Sequence, residues 1–115
     1  MWMVSAPVFI VCVADIRCRI SDDRDISLNE ESSLPELKQI IRDTAIAAEH
    51  IVLEAESIGM SSCWTAGFFQ DGIRPILGIP EDKYVVGVIV LGYADKDLNP
   101  HNRRPLESMI RHEKW

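Results

Sequence analysis

One long amphipathic stretch does most to constrain the fold of this chain. Apolar residues recur at steps of three and four from Leu37 to Ile58, which is typical of an α-helix that buries one face along its length. Ser33 and Glu36 have the spacing of a capping box ahead of it, and Gly59 is a natural residue to end it. The apolar positions are Leu37, Ile40, Ile41, Ala45, Ala48, Ile51, Val52, Ala55 and Ile58.

Two continuous apolar runs predict β-strands that are buried on both faces. The first covers residues 8–14 and the second residues 84–93, and both are short and rich in β-branched side chains. Gly87 and Gly92 in the second run mark places where another segment approaches the backbone closely. Because two strands alone make a marginal sheet, we expect dimerisation or a missing N-terminal segment to complete it.

The other segments are predicted to be mostly connections. A second, short helix is expected over residues 68–77, ended by Gly78 and Pro80. Polar stretches without periodicity are predicted as loops at residues 17–33 and 95–105, a small-residue turn is predicted within residues 61–67, and a last turn or two of helix is expected over residues 106–112.

The composition fits a single globular domain over residues 1–115. Hydrophobic residues are 47% of the chain and charged residues 26%, which excludes a disordered or low-complexity protein. The net charge of −6 disfavours a nucleic-acid partner, because phosphate contacts need a basic face. No apolar run approaches the roughly 18 residues of a membrane span. Three cysteines without a CxxC pair indicate a reducing, cytoplasmic location.

The sequence contains no self-contained catalytic or metal-binding motif. Its three histidines, His50, His101 and His112, lie far apart. Cys63 has no obvious basic neighbour to stabilise a thiolate. We therefore predict neither an acid–base catalytic residue nor a metal site.

Four short segments in order resemble the C-terminal part of the FMN-dependent nitroreductase family. The pattern also includes Ala6-Pro7 ahead of the first strand, and it covers nearly the whole chain. In that family a long core helix ends in a small-residue turn around a Trp, and a short helix, a buried strand and a basic tail follow. The segments are Gly59-Met60-Ser61-Ser62-Cys63-Trp64-Thr65-Ala66-Gly67-Phe68, Leu77-Gly78-Ile79-Pro80-Glu81, Leu91-Gly92-Tyr93 and Arg103-Arg104-Pro105-Leu106.

This resemblance implies an α+β layered fold with the long helix on a small sheet, and an FMN site. The backbone at Ala66 and Gly67 would face the N5/O4 edge of the flavin, with Trp64 and Thr65 flanking the pocket. Small residues suit that position, because little side-chain bulk keeps the ring from the backbone N–H groups. Taken alone, the same stretch also fits a plain connection between helices with a core Trp.

The basic tail supplies the candidate phosphate contacts. By the resemblance, Arg103 falls where the family carries a basic residue on the FMN phosphate, and Arg104 is a nearby substitute. A solvated basic tail is the alternative reading of both. Family members normally carry a further N-terminal segment that holds the main phosphate-binding motif, and this chain is expected to lack it.

The resulting hypothesis is an FMN-dependent oxidoreductase, homodimeric or part of a larger dimer. It would pass reducing equivalents from NAD(P)H through the flavin to an electron-poor acceptor such as a nitroaromatic or a quinone. A different flavin chemistry within the same family is a further possibility. The alternative from another class is a truncated, non-catalytic interaction or regulatory module that keeps the fold without flavin.

Overall fold

One long helix packs on a three-stranded antiparallel sheet whose strand order is β1–β3–β2. The computed structural model describes residues 2–21, 24–96 and 102–115. Residues 22–23 and 97–101, which belong to the two polar loops predicted above, lie outside the described residues. The elements are β1 (Val8–Asp15), α1 (Pro35–Ser57), β2 (Ser61–Thr65), α2 (Gln70–Leu77) and β3 (Lys83–Gly92), with short 3-10 turns at Trp2–Ser5, Ile16–Cys18 and Leu106–Ser108.

The prediction of a two-stranded sheet was wrong, because part of the predicted turn is a strand. β2 pairs antiparallel with β3 from Ser61 opposite Gly92 to Thr65 opposite Val88. Its residues, Ser-Ser-Cys-Trp-Thr, carry no alternating apolar pattern, so the partner strand determines their extended conformation. β3 is therefore the central strand, and its side chains are buried from Val85 onward almost throughout.

The prediction that β1 is buried on both faces was also wrong. β1 pairs only with β3, so it is an edge strand in this chain. Cys12 and Ala14 are buried, whereas Phe9 is 50% and Val13 37% exposed. Alternate side chains of a strand point to opposite faces, so one face of β1 packs on the core while the other is open.

Helix α1 follows the predicted period but not the predicted cap. The N-cap residue is Leu34, and no side chain caps the helix there, so Ser33 and Glu36 form no capping box. Leu34 takes an extended conformation because the next residue, Pro35, disfavours helical geometry before it. The other end is as expected, since Gly59 has a positive φ of 80°. None of the described helices is both long enough and apolar enough to cross a membrane.

The short elements also deviate at their ends. α2 begins at Gln70 rather than at residue 68, and the C-terminal segment contains only a single 3-10 turn, Leu106–Ser108. Gly78 ends α2 in the left-handed conformation with φ 66°, as the sequence predicts. The connection between β2 and α2 therefore consists of residues 66–69.

Two apolar clusters hold the layers together. One joins α1 to the sheet through Ala48 and Ala55, which pack with Cys12, Ile89 and Leu91. The other lies under the start of α1, where the buried residues are Ile16, Ile20, Leu28 and Leu37. The second cluster fixes the polar segment between β1 and α1, because Leu28 has no exposed surface.

Charged side chains link the end of β1 to the start of β3. Lys83 Nζ lies 2.7 Å from Asp15 and 3.3 Å from Asp82, and Arg17 Nε lies 2.9 Å from Asp82. The hydrogen bond from Lys83 lowers the pKa of Asp15, and the one from Arg17 lowers the pKa of Asp82. The same contact with Asp15 raises the pKa of Lys83.

Candidate functional site

The predicted cofactor-binding turn lies where β2 leaves the sheet. Thr65 is the last residue of β2 and pairs with Val88, while Ala66 and Gly67 follow it and are exposed. Within the described part of the chain, neither the Ala66 nor the Gly67 N–H donates a hydrogen bond outside the sheet ladder. A Cβ built on Gly67 would meet nothing within 4 Å. The turn is thus exposed, with open space where a side chain of Gly67 would lie.

Trp64 lies one residue earlier and is fixed by the sheet. It pairs with Ile89, and its indole packs against the cluster that joins α1 to the sheet. A Cβ built on Gly87 would lie only 2.6 Å from Cζ3 and 2.8 Å from Cε3 of the Trp64 ring. Gly87 is therefore a point of close approach, as the sequence predicts, and the segment that approaches is the indole ring.

The indole of Trp64 carries an unmet hydrogen-bond donor. Its Nε1 is buried and has no partner among the described residues. A buried polar atom of this kind is uncommon and costs free energy unless some group satisfies it. The donor belongs to the residue that immediately precedes the Thr65-Ala66-Gly67 turn.

The tail arginines are exposed. Arg103 and Arg104 lie in the segment of residues 102–115, all of which are exposed. No hydrogen bond or ion pair joins either guanidinium to another described residue. Trp64, Thr65, Ala66 and Gly67 are consecutive in the chain and therefore adjacent. Among the described residues, no polar contact joins the two arginines to them.

Two polar residues beside the turn are buried, which the sequence analysis did not predict. Gln70 is 2% and Arg74 3% exposed. They lie four residues apart on α2, and both face β3, where Gln70 bonds to Val85 and Arg74 to the Glu81 and Lys83 carbonyls. Their i, i+4 spacing on a helix with apolar neighbours is a signal in the sequence, but apolar residues are the usual choice for a buried face.

These features fit the edge of a flavin ring. Such an edge needs hydrogen-bond donors at close range on a backbone with little side-chain bulk. Ala66 and Gly67 offer that, whereas the ring of Trp64 packs on the α1 cluster with its Nε1 buried, as the alternative of a core Trp expects. When bound there, a flavin would supply the hydride and electron chemistry that the protein's own side chains lack.

Comparison with known proteins agrees with this reading of the fold. Residues 2–93 match the model of the nitroreductase family. An Archaeoglobus fulgidus protein provisionally named NADH dehydrogenase/NAD(P)H nitroreductase is 33% identical over 81 residues, covering 65% of this chain and 47% of that protein. A Thermus thermophilus protein named NADH dehydrogenase is 31% identical over 61 residues. The chain thus spans about half the length of the curated relatives it matches, or less.

Solved structures share the architecture. A nitroreductase family protein from Streptococcus pneumoniae superposes with a TM-score of 0.74 at 22% identity, over 95% of this chain and 66% of that one. An FMN-dependent nitroreductase from Clostridium difficile superposes with a TM-score of 0.69 at 23% identity, over 96% of this chain and 59% of that one. At these identities the similarity shows the fold, and together with the match over residues 2–93 it shows that the chain belongs to the nitroreductase family.

Proposed function

We propose that this chain forms part of an FMN-dependent oxidoreductase. In the proposed reaction, reducing equivalents pass from NAD(P)H through the flavin to a nitroaromatic, a quinone or a similar electron-poor acceptor. The observation that carries the proposal is the exposed turn at Ala66 and Gly67, whose N–H groups donate no hydrogen bond outside the sheet ladder to any described residue, in a chain of the nitroreductase family. The relatives' names support the oxidoreductase class and the use of a nicotinamide donor.

The chain's own contribution is to bind and orient the cofactor. The Ala66 and Gly67 N–H groups would donate to the N5/O4 edge, and Trp64 and Thr65 would flank the ring. Arg103, with Arg104 beside it, would reach the phosphate through its guanidinium fork. Both arginines are exposed and unpaired within the described part of the chain, so they are available to an anion.

Visible absorption separates this proposal from its rival. Purified protein, reconstituted with FMN and freed of excess, should be yellow, and NAD(P)H should bleach it. Protein that binds no flavin under these conditions would support the alternative, a non-catalytic module that keeps the fold. The chain matches less than half of its curated relatives' length, so the same experiment also shows whether this part suffices.

Replacing Gly67 by valine should weaken flavin binding about tenfold or more, the effect of forcing extra methyl groups into a packed contact. The free protein should fold as the wild type does, because a Cβ at Gly67 meets nothing within 4 Å and Gly67 has no positive φ. Gly72→Val is a matched control, since a Cβ there also meets nothing. Flavin titration of both variants, with circular dichroism as the folding check, measures the effect. Unchanged affinity in Gly67→Val would exclude this turn as the ring contact.

Replacing Arg103 by alanine should weaken the binding of FMN by about ten- to a hundredfold, which corresponds to the loss of one or two charge-assisted hydrogen bonds. Riboflavin has the ring but no phosphate, so its affinity should stay the same. The difference should shrink in high salt, because Arg103 is exposed and its charge is screened. Lys114→Ala removes one charge from the same tail and is the control. Equal loss of both ligands would assign Arg103 to folding instead.

The open apolar surface supports a homodimer. Phe9 on the edge strand, Phe69 just before α2 and Ile76 on α2 are 50%, 77% and 83% exposed. An edge strand with such side chains is prone to pair with another chain. Sedimentation at micromolar concentration should therefore give the mass of two chains, and Phe9→Ser should lower it toward one. A cooperatively folded monomer at tens of micromolar would contradict the proposal.

A further inference from the structure

Helix α2 is held to the sheet by polar groups. Its buried residues are Gln70 and Arg74, while Ile76 is 83% exposed and Phe69, the N-cap residue ahead of the helix, is 77% exposed. Among the apolar side chains of α2 only Ile73 is half-buried, and Ile76 and Leu77 are exposed, so apolar burial, the usual means of attaching a helix, contributes less here. The position of α2 depends instead on individual hydrogen bonds, which are directional and therefore fix its distance from β3 closely.

The side chain of Gln70 takes the place of a neighbouring strand. Its Nε2 donates to the Val85 carbonyl at 2.9 Å, and its Oε1 accepts from the Val85 N–H at 2.8 Å. In an antiparallel sheet the two backbone groups of one residue point to the same side. They reach Gln70 on the edge of β3 beyond Val88, where the pairing with β2 ends. The primary amide thus continues the ladder after β2 has left it.

Glu30 also fixes Gln70, but through the backbone of Gln70 and not its side chain. Its Oε1 accepts from the Gln70 backbone N–H at 2.7 Å, at the first turn of α2. A carboxylate there satisfies a free N–H group and is favoured by the helix dipole. Glu30 is itself held close, since the Leu28 N–H donates to the Glu81 carbonyl at 2.9 Å and Leu28 is fully buried. Burial and then the charge of Glu30 raise the pKa of Tyr84.

We propose that Glu30 and Gln70 are positioning residues for the flavin-contacting turn. Residues 66–69 are anchored at one end by Thr65 of β2, which pairs with Val88 of β3, and at the other by Gln70, which bonds to Val85. With both ends fixed, so short a connection has few conformations in which the Ala66 and Gly67 N–H groups can point at one ring edge. Glu30 acts through Gln70 and touches no ligand. This inference rests on the proposed function, because it assumes that a flavin meets the turn.

Glu30→Ala is the main test, with two companions. Glu30→Gln keeps a side-chain oxygen that can accept from Gln70, and Glu31→Ala removes the same charge one residue away. In flavin-free protein, amide hydrogen exchange at Gln70 should become about 3- to 30-fold faster in Glu30→Ala, the value of a lost helix cap. The exchange rate at Gln70 should stay within about twofold of wild type in Glu30→Gln, which retains an acceptor oxygen, and in Glu31→Ala, which leaves the Glu30 acceptor untouched.

The flavin readouts then test the positioning role. In Glu30→Ala the affinities for FMN and for riboflavin should fall by the same factor, about three- to tenfold, since the ring edge is shared. The C4=O stretching frequency of the bound flavin should shift toward its value in water, because the donors point at it less well. A merely structural role would leave that frequency unchanged in the fraction of protein that still binds.

The outcomes are distinguishable. Wild-type protein that binds neither flavin overturns the proposed function, whatever the exchange data show. Faster exchange at Gln70 with unchanged flavin affinity and C4=O frequency overturns the positioning role alone. Unchanged exchange in Glu30→Ala, or an equal effect of Glu31→Ala, removes the contact between Glu30 and Gln70 on which the inference is built.

Discussion

Replacing Arg74 by methionine is expected to destabilise the fold by about 3 kcal/mol, through the loss of hydrogen bonds from a buried charged donor. The Arg74 side chain is only 4% exposed. Its guanidinium donates to the Glu81 carbonyl at 2.6 Å, the Lys83 carbonyl at 3.2 Å and Asp71 Oδ1 at 3.1 Å. Methionine fills the volume of the stem but donates to none of them, so the Lys83 carbonyl loses this donor and the Glu81 carbonyl keeps only the Leu28 N–H.

Urea unfolding measures this loss, and Arg42→Met is the control. Arg42 lies on α1 and is exposed, so its replacement should change the free energy of unfolding by less than about 0.5 kcal/mol, as is usual at the surface. An equal effect of the two substitutions would mean that water replaces Arg74 at the carbonyls. In that case α2 would be attached chiefly by Gln70.

The elements that the sequence predicted well are those with a strong pattern of their own. The three- and four-residue steps from Leu37 onward predicted α1 correctly, because the apolar stripe extends over several turns. One polar residue within such a stripe does not obscure its period. Gly59 and Gly78 marked helix ends because their left-handed conformation disfavours other residues. These signals depend only on residues close together in the sequence. They can therefore be recognised without knowing which element packs against the segment.

The elements that were missed depend on a partner. β2 has no pattern of its own and is a strand because β3 lies beside it. β1 has a fully apolar run, but it is an edge strand, so that run leaves Phe9 and Val13 exposed. An apolar run indicates that both faces of a strand are suited to burial. It does not indicate whether other parts of this chain cover both faces.

The candidate site divides in the same way. The assignment of Ala66 and Gly67 to a flavin-contacting turn came from the family resemblance and stays a prediction, and the resemblance did not indicate which residues position that turn. The contact from Glu30 to Gln70 spans 40 positions of the sequence, and no spacing rule connects residues so far apart. The two residues meet because the segment before α1 folds back toward the start of β3.

The contact between Trp64 and Gly87 leads to the second large effect. Alanine normally stabilises a strand relative to glycine by about 0.5–1 kcal/mol. Gly87→Ala should instead destabilise the protein by about 1–3 kcal/mol, the usual cost of overpacking a core. The new methyl group would lie 2.6 Å from the Trp64 ring, and the ring cannot withdraw because it packs on the α1 cluster. Gly67→Ala, where the methyl meets nothing within 4 Å, is the matched control.

A double-mutant cycle with Trp64→Leu isolates the cause. Leucine lacks the ring atoms that Gly87 faces, so in that background Gly87→Ala should cost little or become stabilising. The two substitutions should therefore be coupled by about 1 kcal/mol or more, as is found for residues in contact. Additive effects would show that Gly87 is needed for the backbone of β3 and not for the ring. Since Trp64 flanks the proposed flavin turn, coupling would also predict that Gly87→Ala weakens flavin binding while Gly72→Ala does not.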